Sequence, residues 1–352
     1  MFIGSILIKP LRVFSSLTTR PLKQALWLSL LTRFFIFHCF HPMHRQLHFS
    51  HPYKGLRLST ALLFLLCLTP LTLCAQATRR GTLMFQGYER EYYITLPAAD
   101  APSVAEGQKP PLILCLHGYG GHAENACPPL AEAAVAAGWA VCCPQGLNDP
   151  TGNPGWNVRY PSQTGMEVDD VAFMLHLAAV LPEQYGLDAG NVFFTGMSNG
   201  GEMCYLMAYT HPEAFRAIAS IAGLQMEWIM REHPTPSVVV PFMEVHGTAD
   251  TVSYWEGDPT NQYGWGRYLA VPVAVSHIVT QNRCTHYEAT ALPLLHPDVP
   301  SHPVVLHHYL PTPPDGAEVL LYEVQGGNHS WSFDDLDTIA AVLDFFSRHL
   351  AH

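Results

Sequence analysis

Gly196-Met197-Ser198-Asn199-Gly200 sets a serine hydroxyl between two glycines, each two positions away. The apolar run Val192–Thr195 precedes it and a helix-like stretch, Gly200–Thr210, follows, so the local pattern predicts strand, tight turn and helix. Such a turn lifts the serine into the open and tolerates only small neighbours, which Gly196 and Gly200 supply. The plainer reading is a glycine-rich turn whose serine caps a helix. It does not account for the partners found further along. A serine hydroxyl is a weak nucleophile near neutral pH; it needs a base to take its proton, and an imidazole base needs a carboxylate to fix its tautomer. After a strand–turn–helix nucleophile these follow in the chain order acid, then histidine. Among 20 histidines, His329 in Gly326-Gly327-Asn328-His329-Ser330-Trp331 directly follows the last expected strand. Asp250 ends His246-Gly247-Thr248-Ala249-Asp250, just past the apolar run Val238–Val245, whereas Glu256 and Asp258 lie deeper in that loop. Ser198, His329 and Asp250 are therefore the expected nucleophile, base and orienting acid.

The oxyanion of an acyl-transfer intermediate needs two N–H donors. One is expected from Asn199, after the nucleophile, and one from Tyr119 in the turn Leu116-His117-Gly118-Tyr119-Gly120-Gly121. His117 precedes that turn and is read as a structural hydrogen-bonding residue rather than a second base. Trp156, Trp255 and Trp331, with Tyr254 and Trp265, fall on expected loops and offer aromatic faces to a phenolic ring or a sugar. This chemistry calls for no cofactor and no metal. His302, His307 and His308 form no H-E-x-x-H or comparable ligand spacing.

The elements that must position these residues alternate. Short apolar runs occur at Leu112–Leu116, Trp139–Cys143, Val192–Thr195, Ala217–Ile221, Val238–Val245 and Val319–Val324. Near-continuous apolarity over so few residues is what strands buried on both faces require. Between them lie helical patterns at Ala123–Ala137, Val168–Tyr185, Gly200–Thr210, Gly264–Arg283 and Asp334–His349. The expected fold is α/β, a mostly parallel sheet with helices on both faces and its site at the strand C-terminal edge. Thr82–Leu96 alternates and suggests antiparallel strands, and the Pro-rich residues 293–316 read as a loop and hairpin turn before the last strand.

Composition narrows the field. The chain has 352 residues, 48% hydrophobic and 13% charged, enough apolar content for a large core. Residues 1–77 carry eight of the 18 basic residues and no acid, so residues 78–352 hold ten basic and all 29 acidic residues, a balance of −19. A body that acidic repels a phosphate backbone, which excludes nucleic acid as a partner. From Met43, basic residues lead into the apolar stretch Ala61–Leu68 and then Ala75-Gln76-Ala77, the order of a secretory signal. The segment is too short for a permanent membrane anchor. Residues 43–77 are thus expected to be a signal peptide, residues 1–42 an extension ahead of the true start, and residues 78–352 one secreted catalytic domain. Secretion allows disulfides among Cys115, Cys127, Cys142, Cys143, Cys204 and Cys284, although Cys115 and Cys142 or Cys143 sit in strand-like runs that suit buried thiols. The oligomeric state is left open.

Taken together, LHGYGG around Tyr119, GWN at Gly155–Asn157, VDDVAF at Val168–Phe173, GMSNGG at Ser198, HGTAD at Asp250 and GGNHSW at His329 resemble the polyhydroxybutyrate depolymerase and feruloyl esterase family of secreted α/β-hydrolases. The resemblance covers residues 111–348 or so. It implies the α/β-hydrolase fold and a serine esterase with Ser198, Asp250 and His329 as its triad. Extracellular polymer depolymerases of this kind usually carry an added polymer-binding module, and nothing follows His352 here. The expected substrates are therefore feruloyl or acetyl esters on plant polysaccharide, with polyhydroxybutyrate or its oligomers, then peptides, as alternatives.

Overall fold

The apolar runs become six parallel strands. In the computed structural model, which describes residues 78–101, 107–233, 235–236 and 238–351, these are β3 (Leu112–Leu116), β4 (Ala140–Pro144), β7 (Val192–Met197), β8 (Ile218–Ile221), β9 (Phe242–Gly247) and β12 (Val319–Val324). They pair in the order β4-β3-β7-β8-β9-β12, every neighbour parallel. An antiparallel hairpin extends each edge: β1 (Thr78–Phe85) and β2 (Tyr88–Thr95) beside β4, and β10 (Cys284–Ala291) and β11 (Val304–Pro311) beside β12, ten strands in all. A separate two-stranded ribbon joins β5 (Leu147–Asn148) to β6 (Pro154–Gly155).

Alternation along each strand feeds two cores. Leu112, Leu114 and Leu116 face one side, where α2 (Asp170–Tyr185), α3 (Asn199–Thr210), α4 (Glu227–Glu232) and α5 (Val271–Gln281) pack. Ile113 and Cys115 face the other, against α1 (Pro128–Ala136) and α6 (Thr338–Arg348). Phe194 and Phe193 divide in the same way. A strand buried on both faces is apolar at most positions, which is why the sequence shows runs there instead of alternation.

The proline-rich segment departs from expectation. Residues 293–316 contain β11, which with β10 forms an edge hairpin that the sequence reading did not contain. All but the first residue of β10 is exposed and β11 is mostly half-buried, so Thr, His and Glu occupy positions where a central strand would be apolar. The helix expected from Gly264 begins at Val271, and the strand expected from Val238 begins at Phe242. All six cysteines at and beyond Cys115 are free thiols, so no disulfide joins them. The proposed signal peptide and the extension before it lie outside the described residues. Among the described residues no helix is long and apolar enough to cross a membrane.

Candidate active site

Ser198 caps the N-terminus of α3 directly after β7, with φ 58° and ψ −120°. That conformation is strained for any residue with a Cβ, by about 1–3 kcal/mol, and is held by its surroundings. Ser198 N–H donates to Ile221 O at 2.8 Å. A Cβ added to Gly196 would lie 2.7 Å from the carbonyl carbon of Gly200, and one added to Gly200 would lie 2.6 Å from Leu116 O. The turn therefore closes only with glycine at both places.

Asp250 and His329 are drawn together by the parallel pair β9 and β12, which is in register to Gly247 opposite Val324. Thr248 N–H donates to Val324 O at 2.9 Å and Ala249 N–H to Gly327 O at 3.0 Å. At Gly247 a Cβ would meet Gly327 O at 2.2 Å, so this close approach also demands glycine. The result is a 2.7 Å hydrogen bond between His329 Nδ1 and Asp250 Oδ2. Asp250 is buried, and its Oδ1 accepts N–H bonds from Val252 at 2.7 Å and Ser253 at 2.8 Å. With Nδ1 engaged, Nε2 is the nitrogen left for the cavity that His329 and Ser198 both line. Among the described residues Ser198 Oγ has no hydrogen bond. Hydroxyl and imidazole thus share the cavity without a hydrogen bond between them, the looser geometry common in unliganded enzymes.

A buried histidine, His246, stands behind Asp250. His246 Nε2 donates to Ser253 O at 2.8 Å and lies 3.6 Å from Asp250 Oδ2, while its Nδ1 meets Glu244 Oε1 at 2.9 Å. Burial raises the Glu244 carboxyl pKa; at His246 burial works against the charged ring, but the Glu244 contact outweighs it and raises that pKa too. One proton shared between the two keeps this buried pair from leaving an isolated charge beside Asp250.

Among the described residues neither the Tyr119 nor the Asn199 backbone N–H donates to any acceptor. Both amides are thus available, one from the loop after β3 and one at the first turn of α3. The loop itself is pinned: Tyr119 hydroxyl donates to Asp149 Oδ2 at 2.6 Å, and Gly120 N–H to Pro154 O at 2.7 Å. His117 is buried, its Nε2 accepting from Gly146 N–H at 3.0 Å, which makes Nδ1–H the donor to Gly118 O at 2.7 Å. Burial pushes its pKa down to about 4, so it is a neutral structural residue.

The tryptophans need correction. Trp156 is fully buried, its indole N–H donating to His117 O at 2.8 Å and its backbone N–H to Asn199 Oδ1 at 2.7 Å. It supports the turn at Gly118–Tyr119 and the turn at Ser198–Asn199 from behind and does not line the cavity. Trp331 is buried in the opposite core, stacked on Phe333. Trp255 packs edge-on against His246 and is likewise not in the wall. The aromatic wall is instead Tyr119, Tyr160 and Trp265, with ring centroids 5.1–5.7 Å apart. Leu224, Val252, Ser253 and Glu202 complete a cavity of about 190 Å³. Tyr160 gave no motif in the sequence. Glu202 stands four residues after Ser198 on α3, one helical turn, and that spacing was a readable signal. A larger cavity of about 540 Å³ near Trp228 and His211 holds none of Ser198, Asp250 and His329, so residue chemistry and not volume marks the candidate site.

Comparison with known proteins agrees with this geometry. Residues 111–266 match a family model described as the alpha/beta hydrolase fold. A protein of Nocardia uniformis subsp. tsuyamanensis bearing the name esterase NocK is 28% identical over 265 residues, 71% of this chain and 73% of that protein. Feruloyl esterase B of Neurospora crassa is 32% identical over 123 residues, 33% of this chain and 40% of that enzyme. Among solved structures, an acetyl xylan esterase from Aspergillus awamori superimposes with a TM-score of 0.50 at 16% identity, covering 76% of this chain and 99% of that one.

Proposed function

From the premise that this chain is a carboxylic ester hydrolase on the α/β-hydrolase fold, we propose that it works by a Ser198–His329–Asp250 acyl-enzyme mechanism. The observation that carries the reading is the 2.7 Å bond from His329 Nδ1–H to Asp250 at the rim of the cavity that holds Ser198. His329 Nε2 takes the Ser198 proton as Oγ attacks the ester carbonyl carbon. The Tyr119 and Asn199 amides stabilise the oxyanion. The tetrahedral intermediate collapses, His329 protonates the departing alcohol, and the acyl group stays on Oγ. Water, deprotonated by the same imidazole, then attacks the acyl-enzyme and releases the acid. Every proton passes through one ring whose tautomer Asp250 fixes.

The substrates we propose are small-molecule or polysaccharide-linked esters, feruloyl or acetyl groups on plant polysaccharide first. The stretch similar to feruloyl esterase B supports this, as does the aromatic wall of Tyr119, Tyr160 and Trp265. Secretion through the segment 43–77 is part of the same proposal, since such substrates lie outside the cell. Rates on methyl ferulate, acetylated xylan and hydroxybutyrate oligomers test it. Ferulate or acetyl release should exceed oligomer cleavage; the reverse ranking would make the protein an oligoester hydrolase, and turnover of peptidyl anilides alone a peptidase.

A further inference from the structure

Glu202 stands one turn beyond Ser198 on α3, about 6 Å along the helix axis. It is 1% exposed, yet it lines the cavity that holds the serine. Its Oε2 receives the Tyr160 hydroxyl and the Asn199 side-chain amide, the latter at 3.3 Å. Its Oε1 has no protein partner among the described residues, and it is not one of the polar atoms closed off in the interior. The rest of the wall is Leu224, Val252, Trp265 and the rings of Tyr119 and Tyr160, with Ser198, Ser253 and His329 as its polar members. A single carboxyl oxygen in such a wall is costly unless something in the cavity meets it.

We propose that Glu202 reads the acyl group: its Oε1 hydroxyl donates a hydrogen bond to an oxygen carried on the acyl chain of the ester bound at Ser198. The site then favours oxygen-bearing acyl groups over all-carbon chains of equal length. This rests on the esterase reading above and narrows its substrate class. Two donors converge on Oε2, so the proton of the neutral acid sits on Oε1 and points the donor at the substrate. Burial pushes the Glu202 pKa up to about 8, which keeps it neutral at pH 7. The titratable groups around it are Tyr160 and Tyr119 from the loops, Tyr268 from beyond the cavity, and His329 among the residues lining it. Burial raises the pKa of Tyr160 and of Tyr268, which keeps those two neutral through that pH range.

The test is an ether scan of the purified full-length protein: 4-nitrophenyl hexanoate against its analogues with oxygen in place of the third, fourth or fifth chain carbon. The wild type should prefer one analogue over hexanoate by about 3- to 10-fold in kcat/KM, the yield of a neutral hydrogen bond. Glu202→Leu should level that preference. Glu202→Gln should keep it, because its amide nitrogen replaces the Oε1 hydroxyl as donor. As pH rises through about 8, the wild-type preference should fade as the donor ionises, and that of Glu202→Gln should not. If Glu202→Leu does not fold, this pH comparison decides. An absent preference, one that survives Glu202→Leu, or one with the same pH course in wild type and Glu202→Gln overturns the inference. No turnover of any ester overturns the esterase reading and this inference with it; turnover without an oxygen preference overturns this inference alone.

Discussion

Asp250→Asn changes one atom of a buried group, and the structure fixes which way the new amide must face. Asp250 Oδ1 accepts two backbone N–H bonds, from Val252 and Ser253, so the asparagine oxygen is held there. The amide nitrogen then occupies the place of Oδ2, 2.7 Å from His329 Nδ1. Two donors cannot share a hydrogen bond, so Nδ1 must become the acceptor and the ring proton moves to Nε2. His329 can then no longer take the Ser198 proton. The loss expected for a mis-set tautomer is about 10⁴-fold in kcat, close to 5 kcal/mol of transition-state stabilisation. Stability should change far less, because the Val252 and Ser253 bonds persist. The assay is kcat on 4-nitrophenyl acetate between pH 5 and 9 beside a thermal melt. Asp250→Ala should match the kinetic loss but melt lower, since it also frees the two loop amides. An Asn variant within about tenfold of wild type would refute the assignment of Asp250 as the orienting acid.

Other consequences are as specific. Asp170→Asn leaves the fully buried Arg90 without its 2.8 Å carboxylate and should cost about 3–5 kcal/mol in a urea melt, with Arg90→Met/Asp170→Asn recovering part of it. His117 titrates near 6.5 unfolded and about 4 folded, so its neutral form contributes fully above pH 6.5 and that contribution is lost as pH falls toward 4. The change is worth about 3 kcal/mol, and melting profiles of His117→Gln should be flatter than wild type across that window. Trp265→Ala should raise KM for methyl ferulate about tenfold while leaving acetyl ester kinetics nearly unchanged, because only an aromatic acyl group gains from a ring wall. Equal losses on both esters would contradict that role.

How far the sequence could be read depended on what each residue answers to. The six central strands were legible because burial on both faces makes them mostly apolar, and Ser198, Asp250 and His329 were legible because each follows the C-terminal end of one of those strands. The hairpin of β10 and β11 was not, since an exposed edge imposes no apolar run on Cys284–Ala291. The tryptophans failed for a related reason: a large aromatic next to a motif satisfies the core as readily as a substrate, and Trp156 and Trp331 do the former. Tyr160 reaches the cavity through a loop turned by a short helical segment at Pro161–Gln163, a path no local pattern announces. Glu202 carries a periodic signal on α3, but in sequence a lone glutamate in a first helical turn reads as favourable to the helix dipole.

The central claim is that Ser198 becomes acylated. Full-length protein incubated with a 4-nitrophenyl phosphonate should gain one covalent adduct by intact mass, located on the peptide containing Ser198, with activity lost in step, and Ser198→Ala should neither label nor turn over esters. Labelling elsewhere, or a Ser198→Ala variant that folds and still hydrolyses esters at near the wild-type rate, would contradict it.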